Sequence, residues 1–214
     1  MKLVVFDVDG TLVDSQAHIY GAMQRAFGSV GLDCPPRATV LGIVGLSLEQ
    51  AMRRLAPDAD VEALVRAYKT SFAGMRAAEA SPLFPGAREV LDALAARDDL
   101  LLGIATGKSR RGLTHLIEAH GLAGYFVTTQ VADDHPSKPS PSMLLAAMDE
   151  AGCDAAETVI VGDTSFDMDM GRAAGTGTVA VSWGYHPASD LRADALIDRF
   201  GDLPEALERI WRAA

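Results

Sequence analysis

Two aspartates follow an apolar run at the start of the chain. In the stretch KLVVFDVDGTLVDS, residues 2–15, Asp7 and Asp9 are separated by a single valine. Carboxylates are costly to bury, and two close together repel each other. Their place at the end of an apparently buried strand therefore indicates that a positive group belongs beside them.

Two further stretches carry groups that suit phosphate binding. In IATGKS, Thr106 and Gly107 end an apolar run. A hydroxyl and free backbone N–H groups at such a point can hold a phosphate oxygen. In SKPSPS, Lys138 supplies a positive charge near the start of a helix. Taken alone, each stretch also fits a bland interpretation, a strand-to-helix turn for the first and a surface lysine for the second.

A fourth stretch, VIVGDTSFDM, contains two more acids. Asp163 ends an apolar strand and Asp167 follows four residues later, so a helix beginning at Ser165 would turn both carboxylates toward the strand ends. Both could instead be acids that stabilise a helix start. Four carboxylates, a lysine and a hydroxyl at one edge of a sheet together predict a Mg²⁺ and phosphate site, because Mg²⁺ prefers hard oxygen ligands.

The elements that must position these groups alternate along most of the chain. Continuous apolar runs predict strands of a parallel sheet that is buried on both faces. Between them lie helical patterns, so the fold class is an open, doubly wound, mostly parallel α/β sheet, in which ligands bind at the carboxyl ends of the strands. The predicted strands are residues 3–6, 100–105, 126–128, 158–161, 178–182 and, more weakly, 195–197.

Two helices of the sheet layers have clear sequence signals. Ser109 is a helix cap, and the helix that follows it stops at Gly121. Pro141 opens the second helix, which ends at Gly152. The apolar spacing of this second helix predicts that Leu144, Leu145 and Met148 face inward.

Residues 16–80 interrupt the alternation, because they contain helical faces and no convincing strand. SLEQAM, residues 47–52, resembles a capping box at a helix start. We therefore predict a catalytic core of residues 1–15 and 82–214, with an all-α cap of residues 16–81 inserted after the first strand. The prolines of SPLFPG, residues 81–86, suit a hinge at the exit of the cap.

Composition narrows the classes of partner. The chain has 214 residues and a formal net charge of −10, which argues against nucleic acid or an anionic membrane as a partner. No run of about 18 apolar residues predicts a membrane span. The two cysteines are too few for a disulfide framework, so we expect free thiols and a cytoplasmic protein. The expected partner is a small phosphorylated metabolite, and the chain is expected to be a monomer or a homodimer.

The four stretches resemble the four motifs of the haloacid dehalogenase superfamily, and they occur in the same order along the chain. They are DVDGT, the threonine of IATGK, the lysine of SKPSP, and GDTSFD, and core plus cap account for nearly the whole chain. Within the superfamily the chain is most similar to the phosphoglycolate phosphatase group. That similarity rests on DGTLVDS, IVGLSLEQAM, KPSPSM and the ending SWGYHPASDLRADALIDRFGDLPEAL.

The resemblance implies a Mg²⁺-dependent phosphatase of small phosphate monoesters, with 2-phosphoglycolate as the leading substrate. Asp7 would be the nucleophile and form an aspartyl-phosphate. Asp9 would protonate the leaving alkoxide and later deprotonate the attacking water. Mg²⁺ would be bound by Asp7, by the main-chain carbonyl of Asp9 and by Asp163. Asp167 would orient a metal-bound water or the lysine.

The resemblance also implies a phosphate site formed by Thr106, the Gly107 N–H and Lys138. The cap would close over this site, exclude water and select the substrate. Substrate selection is assigned to the turn of Gly45, Leu46 and Ser47, although Ser47 could serve only as a helix cap.

Neighbouring polar residues are given structural roles. Asp14 and Ser15 are predicted to begin the linker to the cap. Lys108 and Arg110 are predicted to be surface or helix-start residues.

Other activities remain open at this point. The same fold could support an inorganic pyrophosphatase or a phosphosugar mutase or phosphatase. A β-phosphoglucomutase is expected to have an arginine in the cap loop, where GLSLEQ has none. A phospho-accepting signalling receiver also uses strand-end acids, a threonine and a lysine, but receivers are about half this length and have no helical cap.

Overall fold

The fold is a single parallel sheet flanked by helices, and the computed structural model describes residues 1–213. The six strands run in the order β3-β2-β1-β4-β5-β6, and every neighbouring pair is parallel. This confirms the predicted α/β class. The strands are β1 Lys2–Phe6, β2 Leu100–Thr106, β3 Thr128–Val131, β4 Thr158–Gly162, β5 Gly177–Val181 and β6 Ala195–Ile197.

Nine α-helices accompany the sheet within the described residues. They are α1 Gln16–Ser29, α2 Arg37–Leu41, α3 Leu48–Leu55, α4 Val61–Ala78, α5 Ala87–Ala95, α6 Arg110–Ala119, α7 Ser142–Ala151, α8 Ser165–Ala174 and α9 Leu203–Ala213. Apolar side chains of α5, α6 and α9 pack on one face of the sheet, whereas those of α7 and α8 pack on the other. Both faces are therefore covered, as a parallel sheet requires.

The central strand β1 explains why the first motif begins with an apolar run. Val4 and Phe6 belong to one apolar layer, and Leu3 and Val5 belong to the other. All four are fully buried, because side chains alternate between the two faces of a strand and both faces are covered. Strand β1 pairs with β2 on one side and β4 on the other, so their three carboxyl ends meet at one edge.

Helices α1 to α4 form a separate apolar cluster. Ile19, Met23 and Phe27 of α1 pack with Leu64 of α4 and with Met52 of α3. None of these side chains is shared with the two layers of the sheet. The boundaries of a core and a cap nevertheless remain a prediction.

Three local expectations were wrong. The third strand was predicted at residues 126–128, whereas β3 begins at Thr128 and ends at Val131. Val127, inside the predicted range, is 55% exposed. On α7 Leu144 and Met148 are buried as predicted, whereas Leu145 is 50% exposed and Met143 is buried instead. Ser47 precedes α3 but makes no capping hydrogen bond through its side chain, so the capping box is absent.

No helix among the described residues is both long enough and apolar enough to cross a membrane.

Candidate active site

Three strand ends bring the sequence motifs together. Asp7 directly follows β1, Thr106 ends β2, and Asp163 follows the last residue of β4. The Asp7 N–H donates to the Val161 carbonyl at 2.9 Å, which extends the ladder between β1 and β4 up to the acid. The sheet edge therefore collects groups that lie far apart in sequence.

A tight turn after β1 packs against Asp163. Gly10 has a φ of +83°, and a Cβ at this position would lie 2.2 Å from Asp163 Oδ2. Only glycine fits this close approach without strain. The next residue, Thr11, donates its hydroxyl to Asp163 Oδ1 at 2.9 Å. The DGT sequence thus holds the Asp163 carboxylate through both its backbone and its side chain.

Three carboxylates form a buried cluster at this edge. Asp7, Asp163 and Asp167 each offer an oxygen atom, and these atoms all lie within 4.8 Å of one another. Burial raises the pKa of Asp7 to about 7, an effect that Lys138 opposes. Burial, with the charges of Asp167 and Asp7, also raises the pKa of Asp163 well above its usual value. The ionised forms of these close carboxylates repel one another, and a bound cation would stabilise them.

Lys138 lies at the centre of the cluster. Its ammonium is 2.6 Å from Asp167 Oδ1 and 2.9 Å from Asp7 Oδ1, and the side chain is fully buried. Although burial opposes its charge, the two aspartates raise the pKa of Lys138 above its usual value. One buried ammonium against three carboxylates leaves the cluster with excess negative charge.

Asp167 is fixed by the start of α8, which begins at Ser165 as the sequence predicts. Its Oδ2 accepts from the Thr164 N–H at 3.1 Å and from the Thr164 hydroxyl at 2.6 Å. Oδ1 is left for Lys138. This capping box orients Asp167 toward the lysine, one of the two roles that the resemblance implied.

The donor set suits a hard cation. Both carboxylate oxygens of Asp7 are buried, and among the described residues their one polar partner is the Lys138 ammonium, which lies 2.9 Å from Oδ1. Buried carboxylate oxygens without donors are costly unless a ligand or a metal satisfies them. Oxygen ligands alone favour Mg²⁺ or a similar ion over a soft metal.

The side chain of Asp9 turns away from this cluster. Its Oδ1 accepts a short hydrogen bond from the Ser15 hydroxyl and pairs with Lys108 Nζ at 2.8 Å. A metal contact from Asp9 would therefore come from its main chain, as the resemblance implied, and this remains a prediction. The surface role expected for Lys108 is wrong, because its side chain is only 12% exposed and binds Asp9.

The predicted phosphate and cap residues lie against each other. A Cβ on Gly107 would be 2.7 Å from the Leu46 carbonyl oxygen and 2.9 Å from that of Gly45. The N–H of Ser47 donates to the Ser137 hydroxyl at 2.8 Å, next to Lys138 in sequence. The turn at residues 45–47 thus covers the ends of two core motifs.

The second motif is tightened by its own threonine. Thr106 is buried, and its hydroxyl accepts from the Lys108 N–H at 3.2 Å. This hydrogen bond curls the chain just after β2.

Sequence reasoning missed two side chains around Asp9. The Tyr185 hydroxyl lies 2.9 Å from the Ser15 hydroxyl, and the backbone N–H of Tyr185 donates to Asp163 Oδ2 at 2.8 Å. Ser15 is itself buried, beyond the linker role that was expected. Ser15 and Tyr185 are 170 positions apart. No local spacing could have connected them.

Fold and site together define an α/β protein with buried carboxylates at its strand ends, and sequence comparison identifies its family. The family of haloacid dehalogenase-like hydrolases matches residues 4–181, so the chain belongs to it. The predicted superfamily is therefore confirmed, and the chain is an enzyme.

Curated relatives align over almost the full length. The chain is 37% identical over 220 residues to a protein named probable phosphatase IndB from Dickeya dadantii, covering 98% of this chain and 95% of the relative. It is 34% identical over 215 residues to a phosphoglycolate phosphatase from Cupriavidus necator, covering 95% and 92%.

A solved structure shares the fold. A hydrolase from Pseudomonas syringae superposes with a TM-score of 0.86 at 24% identity, covering 98% of this chain and 99% of that one. At this level of identity the likeness concerns the fold alone.

Proposed function

We propose that this hydrolase is a Mg²⁺-dependent phosphatase of small phosphate monoesters, with 2-phosphoglycolate as the leading substrate. The observation that carries the proposal is the buried Asp7 carboxylate, whose Oδ1 faces Lys138 Nζ at 2.9 Å and whose Oδ2 has no hydrogen-bond partner within the described chain. Such a carboxylate is available as a nucleophile. Relatives named phosphatase and phosphoglycolate phosphatase support the reaction class, phosphoric monoester hydrolysis.

In the first step an Asp7 oxygen attacks phosphorus, and the bond from phosphorus to the ester oxygen breaks. The departing alkoxide takes a proton from Asp9, and an aspartyl-phosphate remains on Asp7. In the second step Asp9 accepts a proton from water while the water oxygen attacks phosphorus. The bond to Asp7 then breaks and releases inorganic phosphate.

Charge is balanced by Lys138 and a cation. Asp7, Asp163 and the main-chain carbonyl of Asp9 would hold Mg²⁺, which when bound supplies positive charge against the phosphoryl group. Lys138, kept in place by Asp167, stabilises the negative charge that develops on the phosphoryl oxygens. The Thr106 hydroxyl and the Gly107 N–H bind the remaining phosphoryl oxygens.

Residues 16–81 act in this proposal as a cap over a core of residues 1–15 and 82–214. The contact between Gly107 and the carbonyls of Gly45 and Leu46 supports a closed form in which the turn excludes water. In this form Gly45, Leu46 and Ser47 limit the size of the substrate.

The proposal is tested with Asp7→Asn and with Asp14→Asn as the matched control. Asp14 lies in the same stretch, outside the carboxylate cluster. We expect Asp7→Asn to fold but to show no turnover of 2-phosphoglycolate or p-nitrophenyl phosphate with Mg²⁺, because an amide is a poor nucleophile. The control should stay within about twofold of wild type.

Two further measurements complete this test. Acid-quenched wild-type protein should carry one phosphoryl group by intact mass, and Asp7→Asn should carry none. A tenth of wild-type kcat in Asp7→Asn would contradict the nucleophile assignment. If the protein is assayed with a panel of phosphorylated metabolites and hydrolyses only pyrophosphate, the proposed substrate class is contradicted.

A further inference from the structure

A small cavity lies between the C-terminal half of α4 and helix α6. It has a volume of about 20 Å³, which holds one water or one carboxylate oxygen. Its walls come from both helical segments and from the residue that pairs with Asp9. The lining residues are Phe72, Arg76, Ala80, Ser81, Lys108, Gly112, His115, Leu116, Ala119 and His120.

Helix α4 points a stripe of three side chains toward Asp9 and this cavity. Tyr68, Phe72 and Arg76 follow at intervals of four residues, which places them on one helix face. Burial, with a smaller contribution from the charge of Asp9, raises the pKa of Tyr68. Phe72 stacks on Tyr68 with ring centroids 5.6 Å apart, and Lys108 Nζ lies 5.1 Å from the Phe72 ring.

Arg76 ends this stripe as a cation without a counter-ion. Among the described residues no carboxylate pairs with it, and its Nε is buried without an acceptor. Burial and the nearby charge of Arg111 lower the pKa of Arg76 from its usual value. Its position near the end of α4 suits the helix dipole, yet a dipole does not require a buried Nε.

Arg76 and Lys108 both line this cavity. Arg76 Nη1 and Lys108 Cβ both lie within 4.0 Å of the point where a Cβ on Gly112 would stand. Two cations therefore face one cavity in a protein whose net charge is −10. Lys108 already pairs with Asp9, whereas Arg76 has no carboxylate partner among the described residues, so the excess positive charge of this polar cavity favours an anion beside Arg76.

We propose that Arg76, together with Lys108, binds a second negative charge on the leaving group of the substrate. This inference rests on the proposed phosphatase function, in which Asp9 protonates the ester oxygen. Lys108 Nζ lies 2.8 Å from Asp9 Oδ1, so the atoms beyond the ester oxygen pass Lys108 first. Arg76 lines the same cavity as Lys108 and Phe72. The substrate class is a phosphate monoester whose alcohol carries a carboxylate.

The inference is tested with Arg76→Gln and a pair of substrates. 2-Phosphoglycolate and ethyl phosphate share the chain from phosphorus to the second carbon, and only the first carries a carboxylate. We expect Arg76→Gln to lower kcat/KM for 2-phosphoglycolate by roughly 10- to 100-fold, chiefly through KM. Its kcat/KM for ethyl phosphate should change by less than about twofold.

Two other variants separate charge recognition from structure. Arg66→Gln is the matched control, since Arg66 lies on the same helix, is exposed and, within the described chain, pairs only with Glu62 at 3.5 Å. It should affect neither substrate. Arg76→Lys keeps the positive charge and should retain more activity on 2-phosphoglycolate than Arg76→Gln. In the inactive Asp7→Asn protein, calorimetry should show weaker 2-phosphoglycolate binding once Arg76→Gln is added.

The outcomes separate this inference from the proposed function. Equal losses on both substrates, no loss on either, or an unchanged calorimetric affinity would overturn the role of Arg76 while the phosphatase remains. A wild-type protein with equal kcat/KM for ethyl phosphate and 2-phosphoglycolate would also overturn the role of Arg76. A wild-type protein that hydrolyses no phosphate monoester with Mg²⁺ would instead refute the proposed function.

Discussion

At the scale of single residues, the two aspartates of the first motif have opposite surroundings. Asp7 is buried among carboxylates with the Lys138 ammonium as the one polar partner of its oxygens within the described chain, whereas Asp9 accepts from Ser15 and pairs with Lys108 outside the cluster. A carboxylate with a free oxygen suits attack on phosphorus, and one held by a hydroxyl and an ammonium suits proton transfer. Their environments thus support different roles for two identical side chains.

Asp9→Asn tests the proton-transfer role. An alkoxide needs a proton as it leaves, whereas p-nitrophenolate needs none. We therefore expect the first step to slow by roughly 10²- to 10⁴-fold with 2-phosphoglycolate, and much less with p-nitrophenyl phosphate. Because the second step also lacks its base, the aspartyl-phosphate should accumulate, giving a burst of nitrophenolate near one per active site.

Intact mass supplies the control for this variant. One added phosphoryl group should be present in Asp9→Asn and absent when Asp7 is also replaced by asparagine. Equal slowing of both substrates, with no trapped phosphoprotein, would assign Asp9 a structural or metal-site role.

The residues of the four motifs could be predicted because each follows a strand or begins a helix in a recognisable pattern. The partners of Asp9 could not be predicted in this way. Lys108 resembled a surface lysine, since its burial depends on Phe72 from a distant helix. Tyr185 reaches Ser15 from the far end of the chain, and such a contact exists only in the folded protein.

At the scale of elements, the strands buried on both faces and the edge strand β6 were predicted well, whereas the other edge strand, β3, was predicted poorly. Strand β3 contains TTQV, and its polar Gln130 is buried because Nε2 donates to Thr128 Oγ1 at 2.7 Å and to Glu150 Oε2 at 2.9 Å. Apolar patterning cannot detect a strand whose buried side chains satisfy one another by hydrogen bonds. The same pattern misplaced Leu145, which the sheet leaves exposed.

Gly45 tests the role of the turn before α3. Its φ is +102°, and an added Cβ would lie 3.1 Å from Thr164 Oγ1 and 3.4 Å from Phe166 Cδ2. We expect Gly45→Ala to shift the turn off the core and lower kcat/KM for 2-phosphoglycolate by roughly 10- to 100-fold. p-Nitrophenyl phosphate should lose less, because its ring makes contacts of its own.

Gly31→Ala is the matched control for this change. Gly31 also has a positive φ, of +74°, but nothing would lie within 4 Å of its Cβ. Both variants should lose roughly 1–2 kcal/mol of stability through backbone strain. Only Gly45→Ala should lose activity, and equal activities of the two variants would count against a substrate-facing turn.

At the scale of the whole molecule, the apolar clusters of the sheet and of helices α1 to α4 are held together by polar contacts above the site. Tyr185 packs against the helical cluster, and its backbone binds Asp163. His186 accepts from the Ser165 N–H at 3.1 Å and lies 3.1 Å from the Gly42 carbonyl. Closure of the proposed cap and organisation of the carboxylates therefore share the same loop after β5.

The buried carboxylates also link metal, pH and stability. Burial gives Asp7 a pKa of about 7 in the folded chain, against 3.8 for an aspartate in the unfolded chain. Between these values the unfolded chain gives up the proton more readily than the folded one. Without metal, Asp7 should thus reduce the free energy of unfolding as pH rises from about 4 to 7, with no further effect above 7.

Urea unfolding of wild type and Asp7→Asn in chelator measures this effect together with the part of the Asp163 pKa rise that the charge of Asp7 causes, which has the same sign. The free energy of unfolding of wild type minus that of Asp7→Asn should fall as pH rises from about 5 to 7, by at most about 1.4 kcal/mol per pH unit, and then level off. Excess Mg²⁺ should reverse the fall, because the cation binds the ionised carboxylates of the folded state. If this difference rises with pH in chelator, Asp7 is not an uncompensated buried carboxylate. If Mg²⁺ leaves the difference unchanged, no cation binds at Asp7.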